Sequence, residues 1–415
     1  MYKRYKKYKA SGVEWIGEIP AGWEVRMLKY LGLCQNGISA GAEYFGSGYP
    51  FISYGDVYKN ISLPNVVSGL ANSSEKDRNN YSVKKGDVFF TRTSETIEEI
   101  AFASTCLKTL ENAIFSGFII RFRPFSSKLF DGYSKYYFRN PLNRRFFVKE
   151  MNLVTRTSLS QGLLKRLPIL IPIKKEQEAI ANFLDQKTAL IDRIISNRRK
   201  QIELLKEERK AVINKAVTKG INKKAKLKPS GIEWLGDIPE HWKIAKLKRV
   251  VKFIYGNTLQ SENRTEGDIP VYGSNGIVGY HNVAITKNPC IIVGRKGSHG
   301  KINYSEKSCF PIDTTYFIDE TATENNLRWL FYVFQTLNLD ETSQDTGVPG
   351  LSREVAYAKL LQIHSISEQK AIAKFLDNKT AKIDTIITKY EKQISLLKEY
   401  RTSLISKAVT GQIMV

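Results

Sequence analysis

A run of 43 residues occurs twice in this chain. Residues 176–218 read EQEAIANFLDQKTALIDRIISNRRKQIELLKEERKAVINKAVT, and residues 368–410 read EQKAIAKFLDNKTAKIDTIITKYEKQISLLKEYRTSLISKAVT. Aligned without a gap, 28 of the 43 positions are identical. Duplication at this level sets the architecture before any local reading. The run has no Pro or Gly and is rich in Lys, Glu, Leu, Ile and Ala, all good helix formers. Pro172 precedes the first copy and Gly220 follows it, where start and stop signals belong. Leu184, Thr188, Ile191, Ile195, Arg198, Ile202, Leu205, Arg209, Val212 and Ala216 step by alternating fours and threes. The second copy steps identically from Leu376 through Thr380, Ile383, Ile387, Tyr390, Ile394, Leu397, Arg401 and Leu404 to Ala408. That is the heptad seam of helices wrapped on one another. Each copy predicts a helix roughly 65 Å long. Its natural partner is the other copy in the same chain, running antiparallel; the alternative is homodimerisation through each seam.

A shorter duplication leads into each module: SGVEWIGEIPAGW at residues 11–23 and SGIEWLGDIPEHW at residues 230–242. The chain is thus two tandem copies of a lead-in, a variable middle and a long helix. The Lys-rich stretch TKGINKKAKLKPSG reads as a solvated linker. MYKRYKKYKASG holds the equivalent place at the start, so it is expected to meet the end of the second helix. The boundaries expected are 1–170 and 221–362 for the lead-in or linker with its variable domain, and 171–220 and 363–415 for the helices. The middles share little sequence. The first carries the β-type runs YPFISYGDVY, GDVFFTRTS and GFIIRFRPF. The second carries IPVYGSNGIVGYHN, PCIIVGRKGSHGKINYS and TTYFI. Short helices are expected at SKYYFRNPLNRRFFVKEM and ENNLRWLFYVFQTL. The fold class is therefore mixed α/β (α+β): two variable domains on two long antiparallel coiled-coil helices, a pseudo-two-fold tandem repeat.

Charge narrows the partner. The 415 residues carry 64 Lys and Arg against 41 Asp and Glu, a formal net charge of +23. An excess of this size favours a polyanion, nucleic acid before an anionic membrane. No apolar run approaches the about 18 residues that a membrane span needs, and the basic start has no apolar run after it to make a signal peptide. Cys34, Cys106, Cys290 and Cys309 show no paired spacing, which suits reduced thiols in a cytoplasmic protein.

Loops that mix Arg or Lys with Asn, Ser, Thr or His supply what groove contacts need. VGRKGSHGK, residues 293–301, places Arg295, Lys296, Ser298, His299 and Lys301 at the end of an apolar strand, with glycines that let the backbone approach a polyanion. FFTRTSET is its counterpart, with Arg92, Thr93 and Ser94. YGSNG adds Ser274 and Asn275; VTRTS adds Arg156 and Thr157. Each loop also has a plain reading as a solvated turn. RRFFVK reads as a helix face with buried aromatics. GRKGSHGK departs from a phosphate-binding P-loop by one extra residue and by Ile302 where Ser or Thr should stand. His281, Cys290, His299 and Cys309 fit no zinc spacing, so core thiols and surface imidazoles are expected. No nucleophile–base constellation and no methyltransferase motif is found.

The whole chain resembles the specificity subunit of a type I DNA restriction–modification system. The resemblance rests on the duplicated lead-ins, on IPVYGSNGIVGYHN with GRKGSHGK, on GDVFFTRTS, and on EQ, AIA, FLD and KTA opening each helix. It implies two target-recognition domains, each reading one half of a bipartite, asymmetric sequence in double-stranded DNA. It also implies that the helices space the domains and dock two methyltransferase subunits, with motor-nuclease subunits joining them. Catalysis, S-adenosylmethionine, ATP and Mg would then belong to the partners, and this chain would hold no cofactor or metal. A self-sufficient DNA-modifying enzyme and a coiled-coil structural protein are the competing readings.

Overall fold

The computed structural model describes residues 2–94, 99–150, 157–342 and 350–415. The two copies of the duplicated run form helices Lys174–Lys219 and Ile366–Val409, each starting two residues ahead of the repeated segment. The chain divides into two compact units, Met1–Arg198 with Lys392–Val415, and Arg199–Glu391. Each unit holds one variable domain, the first part of its own long helix and the last part of the other.

Within each unit the helix pieces run antiparallel. In the first, the Tyr133 hydroxyl donates to both Leu170 O and Val409 O at 3.2 Å, while Arg401 pairs with Asp192 at 3.1 Å. Rising numbers on one helix thus meet falling numbers on the other. In the second, Gln362 donates to Val217 O and Arg209 pairs with Asp384 at 3.0 Å, with the same sense. Along the seam Leu184, Ile191, Ile195, Ile202, Leu376, Ile383, Ile394 and Leu404 are buried, and Leu205, Val212, Ile387, Leu397, Arg198, Arg209, Tyr390 and Arg401 are half-buried. Thr188 and Thr380 keep their hydroxyls satisfied in the seam, because each donates back to the carbonyl four residues earlier, Leu184 O or Leu376 O.

Although the middles share little sequence, they fold alike. The first domain has a four-stranded antiparallel sheet ordered Gly32–Asn36, Ile119–Pro124, Val88–Thr91, Ala103–Thr105. The second has Ile254–Tyr255, Thr315–Ile318, Cys290–Gly294, Ile302–Ser305 in the matching order. A three-stranded sheet accompanies each: Phe45–Ile52 between parallel Ile114–Phe115 and antiparallel Leu70–Ala71, and Ile269–Gly273 between parallel Phe310–Pro311 and antiparallel Gly276–His281. Short helices at Asp131–Arg139 and Leu327–Phe334 press each domain on its long helix. Tyr136 donates to Asp185 at 2.6 Å, and Tyr332 donates to Asp377 at 2.7 Å. Lys135 and Arg328 add ion pairs to the same two carboxylates.

The duplicated lead-in is a clasp. Its strand Glu24–Met27 pairs with Pro168–Ile171, and Lys243–Lys246 pairs with Leu360–Ile363. The fully buried Trp23 donates its indole N–H to Glu176 at 2.8 Å, and Trp242 donates to Glu368 at 3.1 Å. Each indole also packs on the glycine that ends the other long helix: Trp23 on Gly411, Trp242 on Gly220. Both glycines have positive φ, 71° and 69°, the left-handed cap that a side chain disfavours. Beside each Glu, a buried glutamine is saturated. Gln177 accepts from Phe130 N and donates to Lys128 O and Pro172 O; Gln369 accepts from Asn326 N and donates to His364 O and Asn325 Oδ1.

Several expectations change. The second half of YPFISYGDVY is a helix, Tyr54–Lys59, started by a capping box between Ser53 and Asp56, which overrides the β-type composition. The Lys-rich linker is partly structured: Leu227–Pro229 pairs with Asp237–Pro239, as Tyr8–Ala10 pairs with Glu18–Pro20. The N-terminal segment meets the end of the second helix through a Lys3–Met414 bridge and the Tyr8 hydroxyl on Gly411 O at 2.9 Å. His281 is buried rather than a surface imidazole, its Nδ1 accepting from Thr265 N at 3.1 Å. Phe146 and Phe147 of RRFFVK are buried. Among the described residues, no helix is long and apolar enough to cross a membrane.

Candidate nucleic-acid interface

The central strands Val88–Thr91 and Cys290–Gly294 end in equivalent loops. Ile119 faces Thr91 and Thr315 faces Gly294 in the two registers, so Arg92 and Arg295 occupy the same place in their domains. Their hydrogen bonds to the backbone repeat. Arg92 N donates to Phe118 O and Arg295 N to Thr314 O, at 2.9 and 2.8 Å. The side chains do likewise: Arg92 Nη1 reaches Gly117 O at 3.3 Å, and Arg295 Nη1 reaches Asp313 O at 2.9 Å. Each carbonyl then accepts from a leucine, Leu159 or Leu351. Among the described residues that carbonyl takes one of the five guanidinium donors of each arginine.

In the second domain, residues 294–301 close a hairpin loop in which Gly294 N donates to Lys301 O at 2.8 Å. The turn at Ser274 and Asn275 leans on it. Lys301 Nζ donates to Asn275 O at 3.0 Å and to Asn275 Oδ1 at 2.7 Å, and a side chain at Gly294 would strike Ser298 O and Ser274. Lys296, Ser298, Lys301 and Asn275 are exposed; Arg295, Ser274 and His299 are half-buried. Ser274, Asn275, Arg295, Lys296, Ser298, His299 and Lys301 therefore form one cluster. His299 is the most constrained of them, because its Nε2 lies 2.8 Å from Asp340 O, which fixes the loop to the domain.

In the first domain Thr93 and Ser94 form a short strand opposite Ser158 and Thr157, beside Arg92. All three of Arg92, Thr93 and Ser94 are half-buried. Arg156 lies outside the described residues, as does the side chain of Thr157. This domain is otherwise less basic at the loop: it has no counterpart to Lys301 in hydrogen bonding to a neighbouring turn among its described residues. Sequence reading missed Tyr255, whose ring centroid lies 5.1 Å from the Arg295 guanidinium. No motif marks it, because the two residues are forty positions apart and meet only through the sheet.

Burial also shifts groups elsewhere in and beside the first domain's sheet. Desolvation pushes the Cys106 thiol up to about 12 and Cys34 up to about 11, so neither is a thiolate near neutral pH. Burial, reinforced by Arg123, pulls Arg121 down to about 10, yet it stays charged while donating to Ser82 O and Gln35.

The type I restriction modification DNA specificity domain matches this chain twice, over residues 20–204 and 239–396. The putative type I restriction enzyme MjaX specificity subunit of Methanocaldococcus jannaschii is 25% identical over 422 residues, covering 96% of each chain. The EcoKI specificity subunit of Escherichia coli is 29% identical over 168 residues, 39% of this chain and 34% of that one. Among solved structures, a chain from work on complex assembly and conformational transition of the type I R-M system gives a TM-score of 0.71 at 13% identity. It covers 94% of this chain and 98% of its own length. The HsdS subunit from Thermoanaerobacter tengcongensis gives 0.55 at 12% identity, covering 95% and 98%. These two likenesses concern the fold.

Proposed function

The chain belongs to the type I restriction modification DNA specificity domain family, and from that premise we propose how its parts divide the reading of DNA. It is the DNA-recognition subunit, not the catalytic one. Residues 1–170 and 221–362 are the two target-recognition domains, each reading one half of a bipartite, asymmetric sequence in double-stranded DNA. The loops around Arg92 and Arg295 make the contacts. Residues 171–220 and 363–415 form the coiled coil that sets the unread gap and docks modification subunits, two per chain, which motor-nuclease subunits join. S-adenosylmethionine, ATP and Mg belong to those partners, and the assembly works in the cytoplasm.

The observation that carries this reading is the repetition of one loop environment, Arg92 and Arg295 on identical backbone partners, under different surrounding side chains. A repeated scaffold with unlike surfaces is what two readings of unlike half-sequences require. The net charge of +23 supplies the sequence-independent attraction to phosphate.

The gap is the sharpest test. Inserting one heptad after Arg198 and another after Glu391 keeps each seam in phase and adds about 10 Å of helix between the units. With bases stacked 3.4 Å apart along a strand, the gap should lengthen by about three base pairs. Sequencing methylated sites made by the assembled complex should show the same two half-sequences at the wider spacing. An unchanged gap, or altered half-sequences, contradicts the proposal.

A further inference from the structure

The loop arginine of each domain has two companions that the structure makes equivalent, although the sequence does not. Asn36 faces Ile120 and Tyr255 faces Tyr316, one residue beyond the pairs Ile119–Thr91 and Thr315–Gly294 that align the two sheets. The next residue repeats too. Gly37 N donates to Ile119 O at 3.2 Å, and Gly256 N donates to Thr315 O at 3.1 Å. Asn36 and Tyr255 therefore stand at one position of the fold. On the other side, the leucines that bond the Arg92 and Arg295 carbonyls are each followed by serine, the N-cap of a short helix. The first helical residue is Gln161 in one domain and Arg353 in the other. Each domain thus presents a trio: Arg92, Asn36 and Gln161, or Arg295, Tyr255 and Arg353.

The trios have different chemistry. Gln161 Nε2 donates to Asn36 Oδ1 at 3.1 Å, which joins two amides and leaves the Asn36 donor and the Gln161 acceptor uncommitted to each other. An amide's donor and acceptor match the N6 and N7 edge of adenine. In the second domain, the guanidinium carbons of Arg295 and Arg353 both lie 5.1 Å from the centroid of Tyr255, a ring 44% exposed. Stacking on a ring holds a guanidinium plane still while its donors remain free, the geometry that reads O6 and N7 of guanine. Two cations on one ring also repel, and an acceptor-rich surface between them relieves that repulsion. Neither arginine has a carboxylate partner among the described ion pairs.

We propose that positions 36 and 161 in the first domain, and 255 and 353 in the second, are specificity-determining residues that set which base each head reads beside its loop arginine. The first trio selects an adenine-containing pair and the second a guanine-containing pair. This rests on the reading of the chain as a two-headed DNA reader.

The test uses the full chain assembled with its modification subunits and DNA libraries randomised in one half-site at a time. Arg353→Ala should lower discrimination at one guanine-containing pair of one half-site by roughly 10- to 100-fold. The other half-site should be unaffected. Gln161→Ala and Asn36→Ala should do the same at one adenine-containing pair of the opposite half. Asn36, Gln161 and Arg353 are half-buried, so each variant's melting temperature is measured beside its preference, and a wild-type value separates lost reading from lost folding. An unchanged preference in every variant would overturn the proposal. So would a uniform loss of affinity with a shallower salt dependence, since that marks phosphate contacts. If the unaltered complex itself selected no bipartite site, the failure would lie with the two-headed reading and not with these four positions.

Discussion

At the clasps the two units are built almost identically, and at the proposed reading surfaces they part. Trp23 on Glu176 and Gln177 on three backbone groups have close copies in Trp242, Glu368 and Gln369. At the sheet edge, Asn36 stands where the other unit has Tyr255. The difference shows what each surface must satisfy. A clasp has one partner, the same helix sequence in both modules, so its hydrogen bonds admit one solution. A reading surface faces a ligand outside the chain, and a different ligand asks for different side chains on the same backbone.

The largest expected effect tests whether the clasps are energetically alike. Replacing Trp23 or Trp242 by Ala empties a fully buried indole site and removes the indole donor to Glu176 or Glu368, a loss of about 3–5 kcal/mol. Urea unfolding should show losses that agree within about 1 kcal/mol between the two variants. A loss confined to one would mean that only one clasp is under tension.

The next effect breaks the symmetry within the clasp itself. His364 stands in the second unit where Pro172 stands in the first, each placed by the glutamine that bonds its carbonyl. Its ring stacks on Trp242 at 4.2 Å and meets Trp329 edge-on at 5.0 Å, with no hydrogen bond to either nitrogen among the described residues and Glu368 Oε2 3.7 Å from Nδ1. Burial drives its pKa down to about 4, against the pull of Glu368. The unfolded ring titrates near 6.5, so the unfolded state binds more protons between those values. Stability from the neutral ring is full above about 6.5 and is lost as pH falls towards 4, by on the order of 3 kcal/mol. Hydrogen exchange, corrected for intrinsic rate, should lose protection at residues 360–369 between pH 7 and 5 while residues 168–177 hold theirs. Equal behaviour of the two segments would remove His364 as the cause.

How much of this was legible in the sequence follows the same division. The helices, their seam and the lead-in were readable because a 28-of-43 match and a heptad period are local and repeated. The clasp's tryptophans were visible as repeats, but their partners 153 and 126 residues away were not. The identity of fold between the middles was hidden, because a sheet constrains pattern and register more than residue type. Tyr54–Tyr58 reads as strand from its aromatic and β-branched content; a capping box makes it part of the helix Tyr54–Lys59. The loops around Arg92 and Arg295 are found from composition, yet Tyr255 and Asn36 join them only by cross-strand pairing, and Arg353 and Gln161 only through the leucine that bonds each arginine's carbonyl, which no local motif announces.

In the proposed reading the two loop arginines serve separate halves of one target. The direct measurement compares Arg92→Ala with Arg295→Ala in the assembled complex, by sequencing the sites each methylates. Each variant should relax one half-sequence by about 1–3 kcal/mol of discrimination and leave the other intact, and the relaxed halves should differ. If both variants relaxed the same half, or weakened every site alike, the two units would not be separate readers.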